Sequence, residues 1–302
     1  NASEDHDFEE ISAIGLLDGA NNLEHVALDS RPGNRTPAFM IQPGPGIESA
    51  FSAFGTLIPQ TEFSPWLNSI LHESYTSDAN LGAAFGELIS RLLGGSGLFV
   101  VEACSTGLRR AGKELFQRAA LESGAENEAF RATCGDLSSL GYPMQVNLLP
   151  GETSLFLIEN GAREKILSDS SGEGFNLKPS GVHLSRKDLI ERLDKSPESF
   201  SPGVLLRPLL ESHVFGSLCY VAGPGEISYY AQMGGLYELY GLERPVIYPR
   251  LSGFVIESKV GKVLDRCAIS PDNFQSGPQK LADLVLSTDK AVQGILERLE
   301  KM

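Results

Sequence analysis

Leu218-Cys-Tyr-Val-Ala-Gly-Pro-Gly-Glu-Ile-Ser-Tyr-Tyr230, followed by Pro245-Val-Ile-Tyr248, is the stretch that decides how this chain is read. Leu218 to Ala222 is an unbroken apolar run of strand length. Gly223-Pro-Gly225 breaks it, and Glu226 to Tyr240 then has helical periodicity up to the stop at Gly241. Pro245 to Tyr248 is the next apolar run, and Val204-Leu-Leu206 upstream reads as another short strand. Strand, connection, strand, helix, strand in so short a span describes half of a doubly wound α/β sheet. Unbroken apolar runs are what parallel strands covered on both faces require.

Working outward, Leu281, Leu284, Val285, Val292, Ile295 and Leu299 place a long helix after Lys280, read as the start of a coiled coil. Upstream, Ser185 caps a helix, and Thr153 to Ile158 with Glu164 to Leu167 form two strands turning at Asn160-Gly161, a hairpin signal. Thr106 to about Leu140 is helical with a break near Ser123-Gly124. Leu98-Phe-Val-Val-Glu102 reads as a buried strand fed by one helix running from Ser64 to about Leu93. Residues 4 to 60 are rich in turn formers, with a short strand at Glu24 to Leu28. The expected organisation is a core part with helical segments at 1–140, a small antiparallel β insertion at 141–183, the second half of the core at 184–280 and the beginning of a coiled coil at 281–302.

The 302 residues carry 25 Lys plus Arg against 39 Asp plus Glu, a formal net charge of −14. Cations supply most non-specific affinity for nucleic acid, so a nucleic-acid partner is not expected. An anionic small substrate would need a local basic pocket working against the overall field. Cys104, Cys134, Cys219 and Cys267 form no CxxC pair, so neither a zinc knuckle nor a dithiol motif is present, and they read as reduced thiols of a cytoplasmic protein. No apolar run reaches the roughly 20 residues of a membrane span. The absence of an initial Met and the helical pattern at the C-terminus read as an internal fragment of a longer chain.

In an open α/β sheet, ligands sit beyond the carboxyl ends of the strands. Arg207 follows the first strand, Gly223, Gly225 and Glu226 the second, and Arg250 the third, so cations and a glycine-flanked helix start are expected at one edge. Of Tyr229 and Tyr230, one packs and the other faces this pocket. A purely structural reading stands beside it: a tight βα turn, with Arg207 and Arg250 paired to Glu226 or Glu211. A second cluster, Glu4-Asp-His-Asp7, offers a carboxylate-paired imidazole for orienting or deprotonating an amine. Its alternatives are a metal-dependent hydrolase site at Asp5-His6-Asp7 and a solvated acidic helix start capped by Ser3. No Walker loop, nucleophile elbow or His-Glu-x-x-His is present.

Ser3-Glu-Asp-His-Asp-Phe-Glu-Glu10, Val204-Leu-Leu-Arg-Pro208, Tyr220-Val-Ala-Gly-Pro-Gly-Glu-Ile-Ser-Tyr-Tyr230 and Pro245-Val-Ile-Tyr-Pro-Arg250, in this order, resemble the cysteine-adding enzyme family of bacillithiol biosynthesis. The likeness runs over essentially the whole chain, although Glu102-Ala103 stands where many relatives carry Asp-Pro. The resemblance implies a Rossmann-like parallel sheet core with helical and small antiparallel β insertions, in a chain lacking the family's N-terminal strand and most of its C-terminal coiled coil. It also implies a cytoplasmic ligase, homodimeric at full length, that joins the carboxyl of L-cysteine to the amine of glucosaminyl malate. Glu4, Asp5, His6 and Asp7 would act on the attacking amine. Arg207, Gly223, Gly225, Glu226, Tyr229 and Arg250 would bind substrate. A nucleotide, ATP or ADP, is the expected activator and no metal is expected. A non-catalytic nucleotide- or anion-binding α/β protein is the alternative.

Overall fold

The computed structural model describes residues 39–288 apart from 43, 59, 170, 171 and 254, together with the backbone of 7–8, 13–17, 23–27 and 36–38. The chain forms two compact units, Asn1–Pro249 and Arg250–Met302.

The first unit opens on short strands. β1 (Asp7–Phe8) is antiparallel to the later β4, and β2 (Ala13–Leu17) to β3 (Leu23–Ala27), the strand expected near Glu24. β4 (Thr36–Pro37) sets Pro37 opposite Asp7. α1 (Gly46–Leu57) follows the Gln42-Pro-Gly-Pro-Gly turn, a helix that the turn-rich reading of this region does not contain. The single helix expected from Ser64 is two, α2 (Ser64–Ser74) and α3 (Leu81–Leu93). The side chain of Asn80 accepts a hydrogen bond from the Ala83 amide and so starts the second one afresh.

Leu98 to Glu102 forms no strand, and Phe99 is 89% exposed. Its apolar run has no neighbouring strand to hydrogen-bond among the described residues, and without one an extended segment buries little. The helical stretch from Thr106 is three helices: α4 (Thr106–Ala111), α5 (Lys113–Leu121) and α6 (Ser123–Ser139). The break beside Ser123 is where it was expected; the earlier one falls at Gly112.

The main sheet is antiparallel, not parallel. β5 (Glu152–Glu159), β6 (Ala162–Ser168), β7 (Gly174–Lys178), β8 (His183–Ser185) and β9 (Phe200–Pro202) pair in the order β8-β7-β6-β5-β9. The β5–β6 turn is the hairpin at Asn160-Gly161, with φ of +53° and +79°, the two positive values a type I′ turn demands. α7 (Arg186–Lys195) lies between β8 and β9 and is capped by Ser185, whose hydroxyl accepts from the Asp188 amide. Leu155, Leu157, Ile166, Leu177, Leu189, Leu193, Phe200 and Leu206 bury their side chains in one core with Phe116 and Phe130.

Val204 to Leu206 is not a strand either. The Gly203 carbonyl accepts from the amides of Leu206 and Arg207, closing a turn into α8 (Leu206–Phe215). Leu205, Leu206, Leu209 and Leu210 are buried together at helical spacing, which outweighs the local strand preference of three apolar residues. The extended residues are the preceding Phe200–Pro202, paired with β5.

The parallel element is β10 (Cys219–Ala222), α9 (Pro224–Gln232), α10 (Gly234–Tyr240) and β11 (Val246–Pro249). β10 and β11 pair in parallel, Cys219 opposite Val246 and Ala222 opposite Pro249. The single expected helix is divided at Met233, and Gly241 ends α10 in the left-handed conformation that favours glycine. The fold is thus α/β with one parallel βαβ element and a mostly antiparallel main sheet.

The second unit contains α11 (Ser258–Cys267) and α12 (Pro278–Thr288). α12 occupies the start of the helix expected after Lys280; residues 289–302, where the coiled-coil pattern continues, lie outside the described residues.

Candidate active site

Cationic and hydroxyl groups meet beneath the carboxyl end of β10. Gly223 ends the strand and begins α9, where its amide donates to Oε2 of Glu226 at 2.7 Å. The other carboxylate oxygen, Oε1, accepts the hydroxyl proton of Tyr220 at 2.7 Å. The phenol and the helix-start amide therefore hold Glu226 between them. Burial raises the Tyr220 hydroxyl well above the ordinary tyrosine range, and the bond to Glu226 adds to the shift, so this phenol stays a donor.

Tyr229 and Tyr230 follow on α9, and both are buried. α9 lays both rings against the core, and Tyr230 also lines an open pocket with Ile227, Arg244 and Val246. Tyr230 stacks on Tyr229 with ring centroids 5.3 Å apart and meets Tyr220 at 4.7 Å. Burial also raises the Tyr229 hydroxyl, while the charge of Arg207 pulls the other way. Tyr237 on α10 extends the group, its hydroxyl lying 3.2 Å from Ser212 and donating to the Pro208 carbonyl at 3.3 Å.

Arg207 is 3% exposed in the first turn of α8, and its Nε lies 3.8 Å from Oε1 of Glu211 one turn on. It was expected at an open strand end. Because residues 204–206 turn into a helix, it sits instead under the tyrosines, and the pairing with Glu211 follows the structural reading. Removing one partner of a buried ion pair costs far more than the pair itself contributes, so Arg207 is fixed in place. Its positive charge is felt at the Tyr229 hydroxyl.

The open surface of this region is the start of α9. Pro224 and Gly225 are exposed, and so is Gln145 from the segment before β5. A Cβ placed on Gly225 would stand 3.9 Å from Nε2 of Gln145, so that side-chain amide lies against the glycine. Gln232, buried on α9, sets this segment: its Oε1 accepts from the amides of Gln145 at 2.9 Å and Val146 at 3.0 Å, and its Nε2 donates to the Val146 carbonyl at 2.8 Å. Sequence reasoning passed over Gln145 and Gln232. Their pairing across some 87 residues of chain leaves no local signal.

The structure therefore brings Arg207, Gly223, Gly225, Glu226 and Tyr229 together. Arg250 is the first residue of the second unit. Glu4, Asp5 and His6 lie outside the described residues, and Asp7 is described only as backbone in β1. Among the described residues no cluster of three or more His, Cys, Asp or Glu has metal-binding geometry, and no helix is long and apolar enough to cross a membrane.

The family described as "Bacillithiol biosynthesis BshC, N-terminal Rossmann-like domain" matches residues 1–251. The chain belongs to this BshC family. Proteins named "Putative cysteine ligase BshC" are similar to it along almost its full length. That of Salinibacter ruber (strain DSM 13855 / M31) is 36% identical over 290 residues, 94% of this chain and 52% of the relative. That of Heliobacterium modesticaldum (strain ATCC 51547 / Ice1) is 34% identical over 305 residues, covering 99% and 55%. That of Chlorobium phaeobacteroides (strain BS1) is 32% identical over 314 residues, again 99% and 55%. The chain spans about half the length of the BshC relatives it matches. The parallel β10–β11 element, with its glycine-started helix, lies inside the span that the Rossmann-like family describes.

Proposed function

We propose that this chain is part of a cytoplasmic BshC ligase, homodimeric at full length, that joins the carboxyl of L-cysteine to the amine of glucosaminyl malate. The observation that carries the reading is the convergence of Arg207, Tyr229, Tyr220, Glu226 and the Gly223–Gly225 backbone at one strand end, in a chain of this family. The malate group brings negative charge. The Gly225 amide and the Gln145 side chain receive it at the surface, and Arg207 stabilises it from below without touching it. Glu226 keeps the helix start rigid, which makes it a positioning residue.

In the reaction the amine nitrogen bonds to the cysteine carboxyl carbon, one carboxyl oxygen departs, and the nitrogen gives up a proton. Glu4, Asp5, His6 and Asp7 are the groups proposed to orient the amine and take that proton. Arg250 is proposed as a further contact to the anionic substrate. Amide formation in water runs uphill, so the departing oxygen needs activation, for which a nucleotide, ATP or ADP, is the proposed co-substrate. The Gly223 loop as it stands does not fit a phosphate, since the Glu226 carboxylate already occupies its first amide.

Product mass spectrometry tests the reading, on a protein of the relatives' full length that contains this chain. The expected species has the mass of cysteine plus glucosaminyl malate less one water. Gln145→Ala lowers kcat/KM by roughly tenfold, about the loss of one charge-assisted contact, and Arg207→Gln, which removes the positive charge beneath, lowers it as well. No product with either nucleotide, or full turnover in both variants, overturns it.

A further inference from the structure

A separate cleft of about 410 Å³ lies between α6, the Pro150-Gly151 turn, the end of β6 and the start of α7. Its charge runs against that of the chain. Arg131 and Arg186 both line it, and among the described residues no carboxylate does so. Neither guanidinium has an ion-pair partner among the described residues, and both are exposed. In a chain with net charge −14, two uncompensated arginines facing one cleft are not the product of average composition.

Three polar groups complete the lining. Ser123 and Ser168 hold their hydroxyls 3.0 Å apart, and one hydrogen bond between them leaves the second hydroxyl proton to donate elsewhere. Asn127 is 7% exposed and sits one helical turn before Arg131, on the same face of α6. Its Nδ2 donates to the carbonyls of Ser123 at 2.8 Å and Glu152 at 2.9 Å, which fixes the orientation of the amide. Its Oδ1 is buried with no hydrogen-bond partner among the described residues. That oxygen is sealed from the cleft, so Asn127 shapes the wall and the two serine hydroxyls are the donors a ligand meets.

We propose that this cleft binds a phosphomonoester. A phosphate near its dianionic form matches two guanidiniums, where a monocarboxylate would leave one of them unpaired. The volume falls in the range of small-molecule sites, about 300–1,000 Å³. The site uses none of the residues placed in the ligase site, so its occupancy is read without any ligase activity.

Isothermal titration of the purified chain with glycerol 3-phosphate, and with glycerol as the analogue lacking the phosphate, tests it. The expected result is saturable binding of glycerol 3-phosphate, no binding of glycerol, and a loss of roughly tenfold or more in each of Arg131→Gln and Arg186→Gln with unchanged circular dichroism. No binding at millimolar concentration, or unchanged affinity in both variants, overturns the site. Equal affinity for glycerol and glycerol 3-phosphate overturns the role given to the two arginines.

Discussion

The antiparallel sheet carries more polar residues in its strands than the parallel β10–β11 pair does, yet among the described residues it is the better covered of the two. Leu155, Ile166 and Leu177 are fully buried against α5, α7 and α8. In the parallel pair Ala222 is buried, while Val221 is 59% and Val246 66% exposed. A run of apolar residues says what a strand can bury. How much it does bury depends on its neighbours, and among the described residues no third strand joins the parallel pair.

The sharpest way to break this contrast is by truncation. Leu177→Ala should cost about 2–5 kcal/mol in urea unfolding, whereas Val221→Ala should cost only about 0.5 kcal/mol. Similar losses at both positions would mean that the parallel pair is buried after all.

Glu126 sharpens the contrast because it bridges the two regions. It is 1% exposed on α6, and its carboxylate accepts from Ser154 of β5 at 2.8 Å and from the Tyr240 hydroxyl of α10. Burial pushes its pKa up from 4.5 to about 7, against the two hydrogen bonds, which lower it. The folded state therefore holds the proton more tightly than the unfolded one. Its stabilisation is fully present below about 4.5 and is lost as pH rises through about 7. Relative to Glu126→Gln, the wild-type chain should lose about 3 kcal/mol over that interval, measured by denaturation at several pH values. A constant difference between the two proteins would show that Glu126 is ionised throughout.

Smaller effects separate the helices of the parallel element. A Cβ on Gly235 would stand 2.7 Å from the Ala129 carbonyl oxygen, so Gly235→Ala should push α10 off α6 and lower stability by about 1–3 kcal/mol. Glu226→Ala removes the acceptor of both the Gly223 amide and Tyr220 and should cost about 1 kcal/mol, seen as a lower Tm.

What was legible in the sequence follows the same division. Asn160-Gly161 and Ser185 announce themselves because turn and cap chemistry is local. Leu98 to Val101 misleads because its burial depends on a neighbouring strand, and Val204 to Leu206 because three apolar residues suit a strand as well as a helix. At the candidate site, the sequence places Gly223, Glu226 and Tyr229 after a strand, where the structure has them, and puts Arg207 on the wrong element. Gln145, Gln232, Glu126 and the Arg131–Arg186 cleft each depend on residues far apart in the chain, and a lone carboxylate or arginine on an amphipathic helix looks like solvated surface. The five-stranded antiparallel sheet was foreseen only as a small insertion, because β9 joins it from beyond α7.

Titration calorimetry of glucosaminyl malate against wild type and Gln145→Ala tests most directly whether the end of β10 is the substrate's seat. The account predicts saturable binding to the wild type and a roughly tenfold weaker affinity in the variant, whose exposed side chain leaves the fold intact. Equal affinity in the two proteins would contradict it.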